Sequence, residues 1–520
     1  MDKKEKEKKE KKGKKALKEA IADVETAIEL LEEATVETIT APIAGEDNAS
    51  EEITEPDPTE EPEKKEEKDG SVWSMLDEET RKAVMDFAPG YIEFLNTAKT
   101  EREVTDFVCQ VAAEHGFSPL EKAKKLHAGQ KLLFRWKNKV SALIVIGEEP
   151  IENGCCLIAS HADAPRIDLK ANPAYEADGF ALLKTHYYGG IRKYQWLAIP
   201  LALHGVVVKK DGSVININIG EKDEDPVFTI TDLLPHLAQK QAVKKVQEFV
   251  SGEDLNLLIG SFDENNGKDP VKKQVLALLK EQYGIEEKDF TTAELEIVPA
   301  IPARHVGLDN SLIGGYGQDD RISVYTSLQA ALEIENPKHT AITLFVDKEE
   351  IGSYGNTGLS SLLLETLYAE LLHRTGKDDY YTLRKALNQS FALSADVNAA
   401  VDPNYPEVFE KMNCSFAGKG VVLTKFTGSR GKSGSNDANP EYMGALRALF
   451  DQHEAAWQIG ELGKVDLGGG GTVALYLAFF GIETVDCGAA LLGMHSPFEI
   501  SSKVDVYMAY KAYKAFLQEF

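Results

Sequence analysis

The chain has 520 residues, enough for one large domain or two to three smaller ones. Hydrophobic residues make up 43% and charged residues 28%, as in an ordinary soluble globular protein. A formal net charge of -27 repels nucleic acid and anionic membranes, and both are set aside as main partners. The five cysteines are odd in number and form no CxxC pair. They argue against a disulfide framework or a structural zinc knuckle and fit a reducing cytoplasm. The vicinal pair Cys155-Cys156, in an apolar run, reads as core packing. No stretch reaches the roughly 18 apolar residues of a membrane span. No apolar region directly follows the charged N-terminus, which therefore does not read as a secretory signal.

Residues 1–70 stand apart. A Lys/Glu run leads into KALKEAIADVETAIELLEEA, where Ile21, Val24, Ile28 and Leu31 recur at helical spacing and predict one amphipathic helix. An acidic, proline-containing stretch follows, too poor in large apolar residues to pay for its own ordering, and it is expected to be a disordered linker. From Ser71 the composition becomes globular. Residues 71–170 read as two helices and then strands, in LLFRWKNKVSALIVIGEEP and CCLIASHADAPRIDLKA. Residues 171–308 alternate with period two, as in SVININIG, and are expected to form an inserted β-rich domain. Over 309–520 strands and helices alternate again: ISVYTSLQAALEIE as helix, TAITLFVD as strand, SSLLLETLYAELLHRT as helix, QSFALSADV as strand, and a helix from Lys503 onward. The expected fold is α/β, a mixed sheet covered by helices, with the β-rich insertion.

Five segments put metal-type ligands at predicted strand ends. In SHADAPRIDLK the apolar strand stops at His161, and Asp163 lies two residues on, where a carboxylate can orient an imidazole through its other nitrogen. In GYGQDDRISVYTSL, Asp319 and Asp320 open a helix; an N-cap accounts for one of them but not for two adjacent carboxylates. In TLFVDKEEIGSYGNTG, Glu349 and Glu350 end an apolar strand, where unpaired burial would cost several kcal/mol. A metal offsets that cost for one, and the other could accept a proton from an activated water. Asp396 ends the strand in FALSADVNAAVDPNYPE, and His495 follows another in AALLGMHSPFEISSKVD. Each segment alone has an ordinary structural reading. Together they supply two histidines and three carboxylates, a set suited to two divalent ions, zinc before cobalt or manganese, in the crevice at the carboxyl ends of strands. These residues leave open an aminopeptidase, another metallohydrolase (carboxypeptidase, dipeptidase or N-deacylase), or a non-catalytic assembly protein on the same fold.

SHADAPR, GQDDR, DKEEIGS, SADVNAAVDPNYP and GMHSPFE resemble, in that order, the motifs of the aspartyl aminopeptidase and vacuolar aminopeptidase I family. The resemblance runs from about Val72 to Phe520. It implies a zinc-exopeptidase-like catalytic domain and a hydrolase that removes N-terminal amino acids, acidic or neutral. It implies His161 and Asp396 on one zinc, Glu350 and His495 on the other, Asp319 bridging, Glu349 as general base and Asp163 orienting His161. It also implies a homo-oligomer, a dodecamer built from dimers through the β-rich domain, with His236 reaching the neighbouring subunit's active site. Lys425 matches a family lysine suited to pairing with an acidic substrate side chain. Ala399 stands where some acidic-specific members carry histidine, which counts against acidic specificity.

Overall fold

The computed structural model describes residues 70–263 and 267–520. The amphipathic helix and linker expected in residues 1–70 therefore lie outside the described residues, apart from Gly70. The two helices expected next are Glu78–Thr97 and Glu101–Glu114. The second starts at a capping box, in which Thr100 accepts from the Glu103 backbone N–H while the Glu103 side chain reaches back to the Thr100 N–H.

The central sheet has nine strands. Its middle four, Thr340–Val346, Cys155–His161, Phe391–Ser394 and Glu483–Gly488, run parallel in that order. Antiparallel neighbours extend both edges. CCLIASH reads as an unbroken apolar run because both faces of this sheet are covered. Cys156 and Ile158 face one core, with helices 78–97, 318–332, 440–452 and 503–519. Cys155, Leu157 and Ala159 face the other, with helix 363–375. The alternation is the period-two pleat of a strand between two layers. The vicinal cysteines thus divide between the two cores, and all five cysteines are free thiols.

A second sheet of six strands takes in Arg166–Ala177, Phe180–Tyr188, Leu201–Val208, Val214–Ile219, Leu257–Gly260 and Ala293–Pro299, all antiparallel. It has its own core around Trp196, Leu203, Ile217, Leu257 and Ile297. A five-stranded sheet includes Leu312–Gly315, Ala490–Leu492 and Glu499–Ser502. Its strands hold the approaches to Asp319 and His495 beside the C-terminal ends of the parallel strands.

Candidate active site

The parallel strands deliver their ligand-type residues to one edge. His161 is the last residue of its strand, Asp396 lies two past Phe391–Ser394, and Glu349 and Glu350 lie just past Thr340–Val346. Lys348 takes the left-handed conformation at φ 69°, which turns the chain sharply so that both glutamates point back over the sheet. Asp319 comes from another direction. Gly317, at φ 71°, starts helix 318–332, and a Cβ there would sit 1.8 Å from the Arg321 guanidinium. Asp319 and Asp320 have non-helical backbone, their shared peptide is cis, and neither side chain caps the helix. Non-helical backbone alone would suit an N-cap, but Asp319 faces His161 and His495 and Asp320 accepts the His161 backbone N–H at 3.3 Å, so neither carboxylate serves that role.

Two clusters result, and they share Asp319. His161, Asp319 and Asp396 form one, and Asp319, Glu350 and His495 the other; within each the ligand atoms all lie within 4.8 Å of one another. His161 Nε2 is 3.2 Å from Asp319 Oδ1 and 3.9 Å from Asp396 Oδ1. His495 Nε2 is 3.2 Å from Asp319 Oδ2 and 3.5 Å from Glu350 Oε2. The outer nitrogens are occupied: His161 Nδ1 is 3.0 Å from the Asp163 carbonyl and His495 Nδ1 3.1 Å from the Gly190 carbonyl. These contacts leave both Nε2 atoms aimed at the shared carboxylate, as metal-binding imidazoles require.

The electrostatics favour a cation. Burial opposes the charge of His161, yet Asp163 and Asp319 hold its imidazole well above the usual range. His495 is likewise raised, to about 10, by Asp319 and Glu350 against its burial. Burial pushes the Glu350 and Asp396 carboxyls well up, with Asp319 repelling both. The buried Glu350 Oε1 has no hydrogen-bond partner. A cluster richer in carboxylates than in positive charge, with converging nitrogens and an orphaned carboxylate oxygen, fits divalent ions of the zinc type. Glu349 lies beside it with its carboxyl raised to about 7, chiefly by burial.

The supporting contacts include residues that the sequence reading did not single out. Asp163 accepts the backbone N–H groups of Glu349 and Glu350 at 3.1 and 3.2 Å and the Tyr188 hydroxyl at 2.7 Å. It thus holds the whole glutamate turn as well as touching His161. Glu499 accepts the N–H of His495 at 2.7 Å and that of Asp319 at 3.2 Å, fixing His495 in its left-handed conformation at φ 64°. A second carboxylate four residues past His495 was the available signal for Glu499; nothing local marks Tyr188, which arrives from the six-stranded sheet.

The clusters open into a cavity of about 430 Å³ lined by Asp319, Glu349, Glu350, Asp396 and His495, and further by Thr424, Thr472 and Asp486. Lys425 and His236 are not in its wall. Lys425 is half-exposed, 3.9 Å from Asp437, and His236 is on an exposed loop of the six-stranded domain.

A buried pair of ligand clusters at the strand ends of a helix-covered mixed sheet defines the class of metal-dependent exopeptidases. The family model described as aminopeptidase I zinc metalloprotease (M18) matches residues 94–517, and the chain belongs to that family. It is 49% identical over 453 residues to the "Probable M18 family aminopeptidase 1" of Clostridium acetobutylicum, covering 86% of this chain and 97% of that one. The crystal structure of an M18 aminopeptidase from Thermotoga maritima superposes with a TM-score of 0.84 at 43% identity, covering 87% of this chain and 99% of its own. The dodecamer of S. cerevisiae mApe1 shares the fold, with a TM-score of 0.67 at 21% identity, over 83% of this chain and 96% of that one. The chain is a metallo-aminopeptidase.

Proposed function

We propose that two zinc ions act together at this site, one held by His161 and Asp396, the other by Glu350 and His495, with Asp319 shared. The observation that carries this reading is the pair of clusters meeting at Asp319 in the cavity wall. Zinc ions bound there would bring a water's pKa towards neutrality and polarise the scissile carbonyl. Glu349, in the same wall, takes the proton of the attacking water and passes it to the leaving amine. Asp163 keeps that carboxylate in place through the glutamate turn, and the carboxylates of the wall receive the substrate's free α-amine.

The six-stranded domain is the dimerisation element of a homo-oligomer, and the subunit works in the cytoplasm. The dodecameric yeast neighbour supports oligomerisation. So do Leu233, Leu234, Leu237, Val243 and Val246, apolar side chains all more than half exposed along one segment of that domain. His236 lies in that segment, which suits a role across the interface. Five free thiols suit a reducing compartment, and among the described residues no helix is long and apolar enough to cross a membrane.

The test is a pair of variants. Glu349→Gln is expected to keep full zinc content while turnover falls about 10²–10⁴-fold. His495→Ala is expected to lower the zinc stoichiometry measured by elemental analysis. Full turnover in the first would sink the base assignment, and unchanged metal content in the second would sink the ligand assignment.

A further inference from the structure

The cavity runs from the metal-type ligands to a second buried carboxylate. Asp486, 4% exposed, is the charged side chain of the wall that lies outside the catalytic group, and the wall has no lysine or arginine. Its Oδ1 accepts the Ser394 hydroxyl at 2.7 Å, and Thr472 donates a second hydroxyl. No ion pair reaches it among the described residues. Strand pairing explains the surroundings: Asp486 faces Ser394 on one side and Thr424 on the other, at the level just below Asp396.

The nearby cations are directed elsewhere. Thr424, the last residue of its strand, lines the cavity, whereas Lys425, just past the strand end, does not and lies 3.9 Å from Asp437. Arg430, Lys432 and Lys464 line an adjoining cleft of about 50 Å³ that shares Thr427, Leu462 and Gly469 with the cavity, but none of the three is in the cavity wall itself. The same wall also carries the apolar side chains of Leu462, Leu475, Tyr476 and Met494. The α-amine and scissile bond must lie at the catalytic group, which leaves the rest of the cavity to the first side chain of the substrate and the start of the leaving peptide. An aliphatic stem along an apolar wall, ending in a cation at a carboxylate, is how lysine and arginine are accommodated.

We infer that Asp486 makes this pocket select peptides beginning with lysine or arginine and reject those beginning with aspartate or glutamate. This deepens the aminopeptidase reading and rests on it. Burial raises the Asp486 carboxyl to about 6, so it is still largely ionised at neutral pH and available to a cation.

The test uses the full chain loaded with zinc and compares kcat/KM on lysyl, arginyl, norleucyl, aspartyl and glutamyl anilides near pH 7.5. Lysyl and arginyl substrates are expected to exceed norleucyl, which matches lysine in length without its charge, by about tenfold. The acidic substrates are expected to fall about a hundredfold below norleucyl. In D486N the lysyl-to-norleucyl ratio should drop to about 1. Because both rates come from one preparation, the ratio does not depend on the amount of folded protein. T424K, which puts a cation opposite Asp486, should raise the glutamyl-to-norleucyl ratio. Acidic substrates leading in the wild type, norleucyl matching or exceeding lysyl, or an unchanged ratio in D486N would each overturn the inference. Failure to hydrolyse any free-amine anilide would instead overturn the aminopeptidase reading beneath it.

Discussion

Asp319, Glu350 and Asp396 gather around two imidazoles in the wall of an open cavity; Glu101, Glu294 and Glu296 gather at the boundary of the six-stranded sheet, around Lys139, Arg166 and Arg102. Both groups bring carboxylate oxygens within reach of one ion. At the second, Lys139 Nζ is 2.9 Å from Glu101 Oε1, and Arg166 is 3.3 Å from both Glu101 and Glu296. Permanent cations already compensate its charge, and it lines none of the cavities described above. At the first, among the described residues, the positive charge is that of imidazoles that become neutral when they ligate. The comparison teaches that carboxylate density alone does not make a metal centre. What decides is whether the counter-charge is built in or can be exchanged, and whether solvent has access. Asp505 shows a third solution. Fully buried, it is met by the backbone N–H groups of Gly418 and Gly420 at 2.7 and 2.8 Å, with no cation paired to it among the described residues.

The largest effect should come from the shared ligand. Asp319→Ala is expected to lose both ions and about 10⁴-fold of the activity, some 5.5 kcal/mol. Glu101→Gln should keep its zinc in the same elemental analysis, and loss of metal there would erase the distinction between the clusters. Arg166→Ala leaves Glu296 buried without its partner and Glu101 with Lys139 alone, and should cost about 3–5 kcal/mol of stability in denaturant titration. Zinc content should hold; a neutral result would mean that the cluster is not held by its cations. Tyr188→Phe removes one hydroxyl from Asp163 and should weaken zinc affinity or kcat by about 10–100-fold with little change in melting temperature. The smallest effect is the pH dependence of Asp505. Burial raises its carboxyl from an ordinary 3.8 to about 7, so its protonated form stabilises the fold at low pH, and that contribution is lost as pH rises through about 7. Between pH 6 and 8 wild type should lose on the order of 1 kcal/mol more stability than Asp505→Asn. Equal slopes for the two proteins would show that Asp505 is ionised throughout.

Much of this was legible in the sequence, for reasons specific to each element. CCLIASH and TAITLFVD announce buried parallel strands because no charged residue interrupts them before the end, and each ends on or beside a titratable group. His161, Glu350 and Asp396 could be named as candidate ligands because each stands on or just past such an end. Asp319-Asp320 was harder, since the pattern of an N-cap suits the pair equally well, and only the tertiary contacts with His161 and His495 show the carboxylates engaged elsewhere. Lys425 shows the limit of reading by position: Thr424, the last residue of its strand, lines the pocket, and Lys425, one residue past it, does not.

The sequence by itself determined the residue types available for chemistry, the strands that carry them and the family. It did so because apolar periodicity and strand-end ligands are local properties. Only the tertiary structure decided that Asp319 is common to two clusters, that Glu499 and Tyr188 support them, that Glu101 belongs to a compensated network and that Asp486 shares a cavity with the catalytic group. Those facts depend on distances between segments far apart in the chain and on which charges burial leaves unpaired, and neither is encoded in any one stretch of residues.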